Sequence, residues 1–293
     1  MKKLITAAAL MITAISPAMA EITIGQPKLL SDQMGFAEGP IWHAQKQAFL
    51  FTDIPNQTIY SASLDGKISA IDQQSGFANG LAVDQKGNIW SARHDRKLSL
   101  TNPKGEKTVM AATYAGKPLN SPNDLIIDDQ GAVWFTDPPF GIQGYGPQKA
   151  PEEQPARGIY RYKDGALTLE NGDLKLPNGI AFSPDNHYLY VADTADGWVY
   201  RFNVRDSHLS NKQAFARVDV TGKEPMADGV ETDRNGNVYI AGPGGVGIFN
   251  DQGKQLHYIA IDSGHISNIA LGGQHQEYLL VTAANKVLLY PID

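Results

Sequence analysis

The chain has 293 residues, 42% hydrophobic and 19% charged, with 29 Gly, 17 Pro, no Cys and a net charge of −6. That balance describes a folded globule, and an acidic chain without a long basic run excludes nucleic acid and anionic membrane surfaces as partners. The missing cysteines exclude disulfides, thiol nucleophiles and cysteine-ligated zinc.

At the start of the chain, Lys2 and Lys3 precede an apolar run from Leu4 to Ile15, followed by the small residues Ala18 and Ala20. This three-part pattern predicts a signal peptide over residues 1–20, cut before Glu21, and hence a periplasmic or secreted protein. The run is shorter than the ~20 apolar residues a membrane anchor needs. Removing 20 of 293 residues leaves 273, and losing two lysines moves the net charge from −6 to −8.

Six segments then repeat one shape: a polar anchor usually followed by Gly, an alternating apolar run, a turn, and a second apolar run. The anchors are Glu38, Asn79, Asn123, Asn178, Asp228 and Asn268, at intervals of 41, 44, 55, 50 and 40. LAVD, LIID and IAFS read as strands, DQKG, DDQG and DRNG as Asp/Gly hairpin turns, and NIWSA, AVWFT and NVYIA as the returning strands. An aromatic follows each anchor, at Phe49, Trp90, Trp134, Tyr190, Tyr239 and Tyr278. Units averaging 46 residues fit four strands each, so residues 21–293 are predicted to form one all-β, six-bladed propeller. The surplus EITIGQPKLL (21–30) is expected to close the ring beside KVLLYPI (286–292).

The longest interval holds residues 138–156, with five Pro and three Gly. A stretch of that composition should carry no strand and should overhang the channel on the anchors' own face, as a lid or as a surface insertion. Asp53, Asp137 and Asp193 close the second strand of three blades, where a turn-capping role is expected. His265 lies three residues before an anchor and can reach the channel rim.

Taken singly, each Asn-Gly or Asp-Gly pair reads as a turn. Six polar anchors at one register call for more, because equivalent positions in a propeller converge on its axis. Two are carboxylates, and no Lys or Arg occupies an equivalent place to neutralise them. One divalent cation resolves that conflict. Carboxylate and amide oxygens are hard donors, so Ca²⁺ fits first, then Mg²⁺ or Mn²⁺, with Zn²⁺ the poorest of the four.

FAEGPIW, LFTDIPNQTIY, NSPNDLIIDDQGAVWFTDPPFG, LPNGIAFSPDNHYLYVADT and ADGVETDRNGNVYIAG together resemble the gluconolactonase, senescence-marker-protein and luciferin-regenerating-enzyme family. The resemblance implies a propeller that holds a divalent metal in its central channel and hydrolyses lactones, a sugar lactone such as gluconolactone foremost. The implied metal ligands fall on Glu38, Asn178 and Asp228. Asn123 is implied as a further ligand or as a substrate contact, with Asp124 and Asn120 as pocket residues beside it. Asp228 is then the candidate base for the attacking water. One departure stands out: where animal members place a sugar-contacting Arg two residues before the substrate Asn, this chain has Ser121. Two rival readings share the architecture, namely phosphotriester hydrolysis of the diisopropyl fluorophosphatase type and a non-enzymatic binding propeller. No obligate protein partner is evident from the sequence.

Overall fold

The computed structural model describes residues 22–293. The expected signal peptide, residues 1–20, lies outside them. Among the described residues there are six four-stranded sheets and a two-residue-per-strand hairpin at Thr113–Tyr114 and Lys117–Pro118. The innermost strands are Ala37–His43, Ala78–Val83, Leu125–Ile127, Pro177–Phe182, Val230–Thr232 and Asn268–Gly272. Each sheet runs outward from there as an antiparallel meander, which makes the molecule the six-bladed propeller that the spacing predicts.

Hairpin chemistry sets the spacing inside the blades. Asp84, Asp128 and Asp233 each accept backbone N–H groups two and four residues on, and Gly87, Gly131 and Gly236 take the positive φ that these turns require. In two blades the same Asp also accepts the indole N–H of the returning strand's Trp90 or Trp134. Buried aromatics between sheets then fill the core, with Phe49, Trp134, Tyr190 and Tyr239 each at most 2% exposed.

Ring closure is the one expected from the N-terminal surplus. Lys28–Ser31 lies antiparallel to Lys286–Pro291 as the outer strand of the last blade, and Ile24 bridges Ile292. A strand from the beginning of the chain thereby completes a sheet from its end.

The Gly that follows four of the six anchors has a role other than the turn expected of it. Glu38-Gly39, Asn79-Gly80 and Asn178-Gly179 lie inside inner strands, at register irregularities. What they permit is close approach between blades. A Cβ at Gly39 would fall 1.9 Å from the Asn79 carbonyl oxygen, at Gly179 2.3 Å from that of Asp228, and at Gly229 2.1 Å from Asn268 Oδ1. Adjacent blades are thus near enough for hydrogen bonds at all six junctions, two of them donated by Thr52 and Thr136 of second strands. In order around the ring these are Thr52 Oγ1 to Asn79 O, Gly80 N to Asn123 O, Thr136 Oγ1 to Asn178 O, Gly179 N to Asp228 O, Gly229 N to Ser267 O and Ser267 Oγ to Ala37 O.

Gly179→Ala is therefore expected to destabilise the fold by about 2–3 kcal/mol through overpacking, seen as a lowered thermal midpoint. Gly264→Ala, where a Cβ meets nothing within 4 Å, should be neutral or slightly stabilising.

Candidate active site

Five anchors line one cavity of about 90 Å³ at an end of the channel: Glu38, Asn79, Asn123, Asn178 and Asp228. All six anchors are at most 5% exposed. The sixth, Asn268, turns aside: its Nδ2 donates to Asp124 Oδ2 at 3.3 Å and its Oδ1 accepts from Ile269 N. Asp124 spends its other oxygen on Leu125 N and does not line the cavity. Asn120 does not line it either. Its backbone N–H donates to Asp137 Oδ2, and its amide donates to the Asp137 and Ala156 carbonyls, beneath the long loop.

Of the two carboxylates at the axis, Asp228 has a basic partner in His265 and Glu38 has none among the described residues. Burial, with Asp228 and Asp124 as like charges nearby, holds Glu38 well above the ordinary carboxylate range. Burial raises Asp228 too, although His265 Nε2 sits 2.5 Å from its Oδ2 and pulls the other way. Burial alone would lower His265; the hydrogen bond and charge of Asp228 outweigh it, and the net shift is upward. Among the described residues no Lys or Arg lines the cavity.

Hydrogen bonding decides which atoms face inward. Thr194 Oγ1 donates to the Ala227 carbonyl, so it accepts from Asn178 Nδ2 at 3.0 Å, and Asn178 Oδ1 is left pointing at the cavity. Asn178 Oδ1, Asp228 Oδ1 and Asn79 Oδ1 are buried without a hydrogen-bond partner, a costly state for polar atoms. Glu38 has one oxygen on Gly39 N. Among the described residues no three His, Cys, Asp or Glu side chains cluster as metal ligands. The donor set here is instead two carboxylates with amide oxygens, and its unpartnered, inward-facing atoms fit a hard divalent cation.

The wall above this polar floor is apolar: Phe36, Ile54, Phe140 and Tyr145. Phe140 and Tyr145 come from residues 138–156, which do overhang the channel mouth and carry a single helical turn, Gly141–Tyr145. Ser121 ties this loop down, its hydroxyl donating to the Pro138 carbonyl at 2.6 Å and accepting from Gly141 N at 2.8 Å. The Phe36 ring meets both Tyr145 and His265 at 5.7 Å between centroids.

Sequence reasoning missed His94 and Thr194, which orient Asn79 and Asn178. A signal for them existed. Ile54, His94 and Thr194 all follow the last residue of a second strand, and each donates its backbone N–H to the residue two places before its own blade's anchor. The three second-strand Asp residues act as caps. Asp53 and Asp193 receive pairs of backbone N–H groups from the segments that enter the inner strands.

Known proteins resemble this chain in sequence and fold. The sequence profile described as "SMP-30/Gluconolactonase/LRE-like region" matches residues 36–285. A gluconolactonase of Zymomonas mobilis is 30% identical over 307 aligned positions, covering 94% of this chain and 85% of that one. Among solved structures, a gluconolactonase of Xanthomonas campestris superposes with a TM-score of 0.85 at 32% identity, covering 92% of this chain and 90% of that one. A calcium-binding protein, regucalcin, from Agrobacterium tumefaciens superposes with a TM-score of 0.76 at 20% identity, covering 91% and 93%. At that identity the likeness speaks to the fold alone.

Asp137 differs from the other two caps: one of its oxygens is buried without a partner, and burial pushes its pKa up to about 7. The folded chain therefore holds this proton more tightly than the unfolded chain, where a carboxyl titrates at about 4. Its contribution to stability is complete below that value and is lost as the pH rises through about 7. Thermal midpoints at about pH 5 and about pH 8 should show a smaller fall in Asp137→Asn than in the unaltered protein.

Proposed function

The chain belongs to the SMP-30/gluconolactonase/LRE-like family, and we propose that it is a metal-dependent lactonase, opening a sugar lactone such as gluconolactone to its hydroxy acid. The observation that carries this reading is the pair of unpartnered oxygens, Asn178 Oδ1 and Asp228 Oδ1, beside Glu38 in a cavity with an apolar wall. Two similar proteins bearing the name gluconolactonase support it.

Glu38, Asn123, Asn178 and Asp228 would hold the cation, Ca²⁺ before Mg²⁺, Mn²⁺ or Zn²⁺. When bound, such an ion polarises a carbonyl and lowers the pKa of water. The remaining work falls to side chains. Asp228 is the base: His265 fixes its Oδ2, and its Oδ1 faces the cavity, where it accepts a proton from the attacking water. Asn123, in the same cavity, orients the lactone carbonyl. Phe36, Phe140 and Tyr145 pack over the substrate and limit the entry of bulk water. Export to the periplasm or beyond, with residues 1–20 removed, completes the reading; the leader pattern alone supports it.

Acid release should be followed across a panel of sugar lactones, aliphatic lactones and organophosphates, with spontaneous hydrolysis subtracted. Sugar lactones should be the best substrates, activity should disappear on chelation, and Ca²⁺ should restore it. Asp228→Asn should retain its thermal midpoint and lose at least about 100-fold in kcat, the scale of a missing general base. Near-normal turnover in that variant would remove Asp228 as the base, and hydrolysis indifferent to chelator would remove the cation.

A further inference from the structure

We propose that Asn79 is a specificity residue whose Oδ1 accepts a hydrogen bond from a hydroxyl substituent of the lactone, and that His94 is the positioning residue that keeps this oxygen turned into the cavity. The inference rests on the lactonase reading and adds the chemical feature by which the site selects among lactones.

The orientation of the Asn79 amide follows from its neighbours. His94 is 2% exposed and lies between two groups. Its Nδ1 is 3.3 Å from the carbonyl oxygen of Tyr145, and its Nε2 is 3.1 Å from Asn79 Nδ2. A carbonyl only accepts, so Nδ1 carries the ring hydrogen. In a neutral imidazole Nε2 is then an acceptor, and Asn79 must offer it an N–H. Burial lowers the His94 pKa to about 4, so the ring keeps this form throughout the neutral range. Asn79 Oδ1 is thereby aimed away from His94, buried and without a partner.

Of the three unpartnered oxygens around the cavity, Asn178 Oδ1 and Asp228 Oδ1 belong to the four residues assigned to the cation. Asn79 Oδ1 remains, an uncharged acceptor in a small and largely apolar enclosure. It needs a donor. The carbonyl and ring oxygens of a lactone are acceptors only and cannot serve, whereas a hydroxyl on the ring can. The apolar part of the lining, Phe36, Ile54 and Phe140, offers a hydroxyl nothing. Tyr145 belongs to the loop over the channel mouth, so the segment that covers the substrate also fixes the tautomer that reads it.

The test compares kcat/KM for a polyhydroxylated δ-lactone and for unsubstituted δ-valerolactone in the metal-replete protein, Asn79→Leu, His94→Leu and His94→Gln, with thermal midpoints as a check on folding. The unaltered protein should favour the hydroxylated substrate by about tenfold or more, the scale of a satisfied against an empty polar site. Asn79→Leu and His94→Leu should each bring that ratio close to one. His94→Gln, which returns an acceptor near the position of Nε2, should restore it, a rescue that a merely structural His94 would not show. If Asn79→Leu does not fold, Asn79→Ala, which removes the oxygen, takes its place. A ratio near one in the unaltered protein, or a ratio unchanged in the variants, overturns the inference and leaves lactone hydrolysis standing. Calcium affinity that falls in Asn79→Leu as far as in Asn178→Ala overturns it as well, by assigning Asn79 to the cation. If no lactone is hydrolysed at all, the lactonase reading itself fails, and the inference with it.

Discussion

Six inner strands approach so closely that each blade hydrogen-bonds to the next, and this contact fixes everything at the axis. Each bond runs from a Gly N–H, or from a Thr or Ser hydroxyl, to a neighbouring carbonyl. Only residues without a Cβ fit at the tightest points, where an added atom would fall within about 2.3 Å of the adjacent blade. With backbones locked at that distance, five of the six anchor side chains are brought to one cavity. A narrow cavity floored by polar groups follows from the packing.

That arrangement has an electrostatic consequence. Glu38 and Asp228 are buried near one another, and both are shifted upward by burial. Among the described residues, His265 is the basic side chain that touches the pair. The proposed divalent cation would offset this charge, with the amide oxygens of Asn123 and Asn178 completing its surroundings. The six equivalent positions have diverged in a physically legible way. Two carry charge, one is steered by Thr194, one by His94, and one faces the same cavity without such a partner. The last, Asn268, is consumed by Asp124 below the ring. A single repeat has become an asymmetric site through the partners of its anchors.

Much of this was readable in the sequence, because two periodicities coincide there. Strand alternation and Asp/Gly hairpins recur with the blade, and the anchor register recurs with them, so the propeller and the five cavity-lining anchors could be placed from spacing, and its closure from the N-terminal surplus that holds Lys28–Ser31. The Gly residues were harder. Asn-Gly is the usual signature of a turn, and only three-dimensional packing distinguishes a turn from a point of contact between blades. Asn120 and Asp124 lie three and one residues from an anchor in the chain, but all three precede the strand Leu125–Ile127, and hydrogen bonds tie Asn120 to Asp137 and Asp124 to Asn268. His94 and Thr194 escaped because the position that follows a second strand is occupied by chemically unrelated residues, Ile54, His94 and Thr194. A pattern made of location without residue type is visible only once the register is known. Ser121 could be flagged as a departure, but its work of holding the loop down depends on atoms 17 and 20 residues further along the chain.

If the ring of buried oxygens exists to hold one hard cation, the protein should bind that ion whether or not a substrate is present. Calorimetric titration of Ca²⁺ into chelator-stripped protein measures this without reference to turnover. One saturable site per chain is expected, and Glu38→Gln should abolish it. Absence of saturable binding, or binding that survives undiminished in Glu38→Gln, would contradict the assignment of these oxygens to a cation.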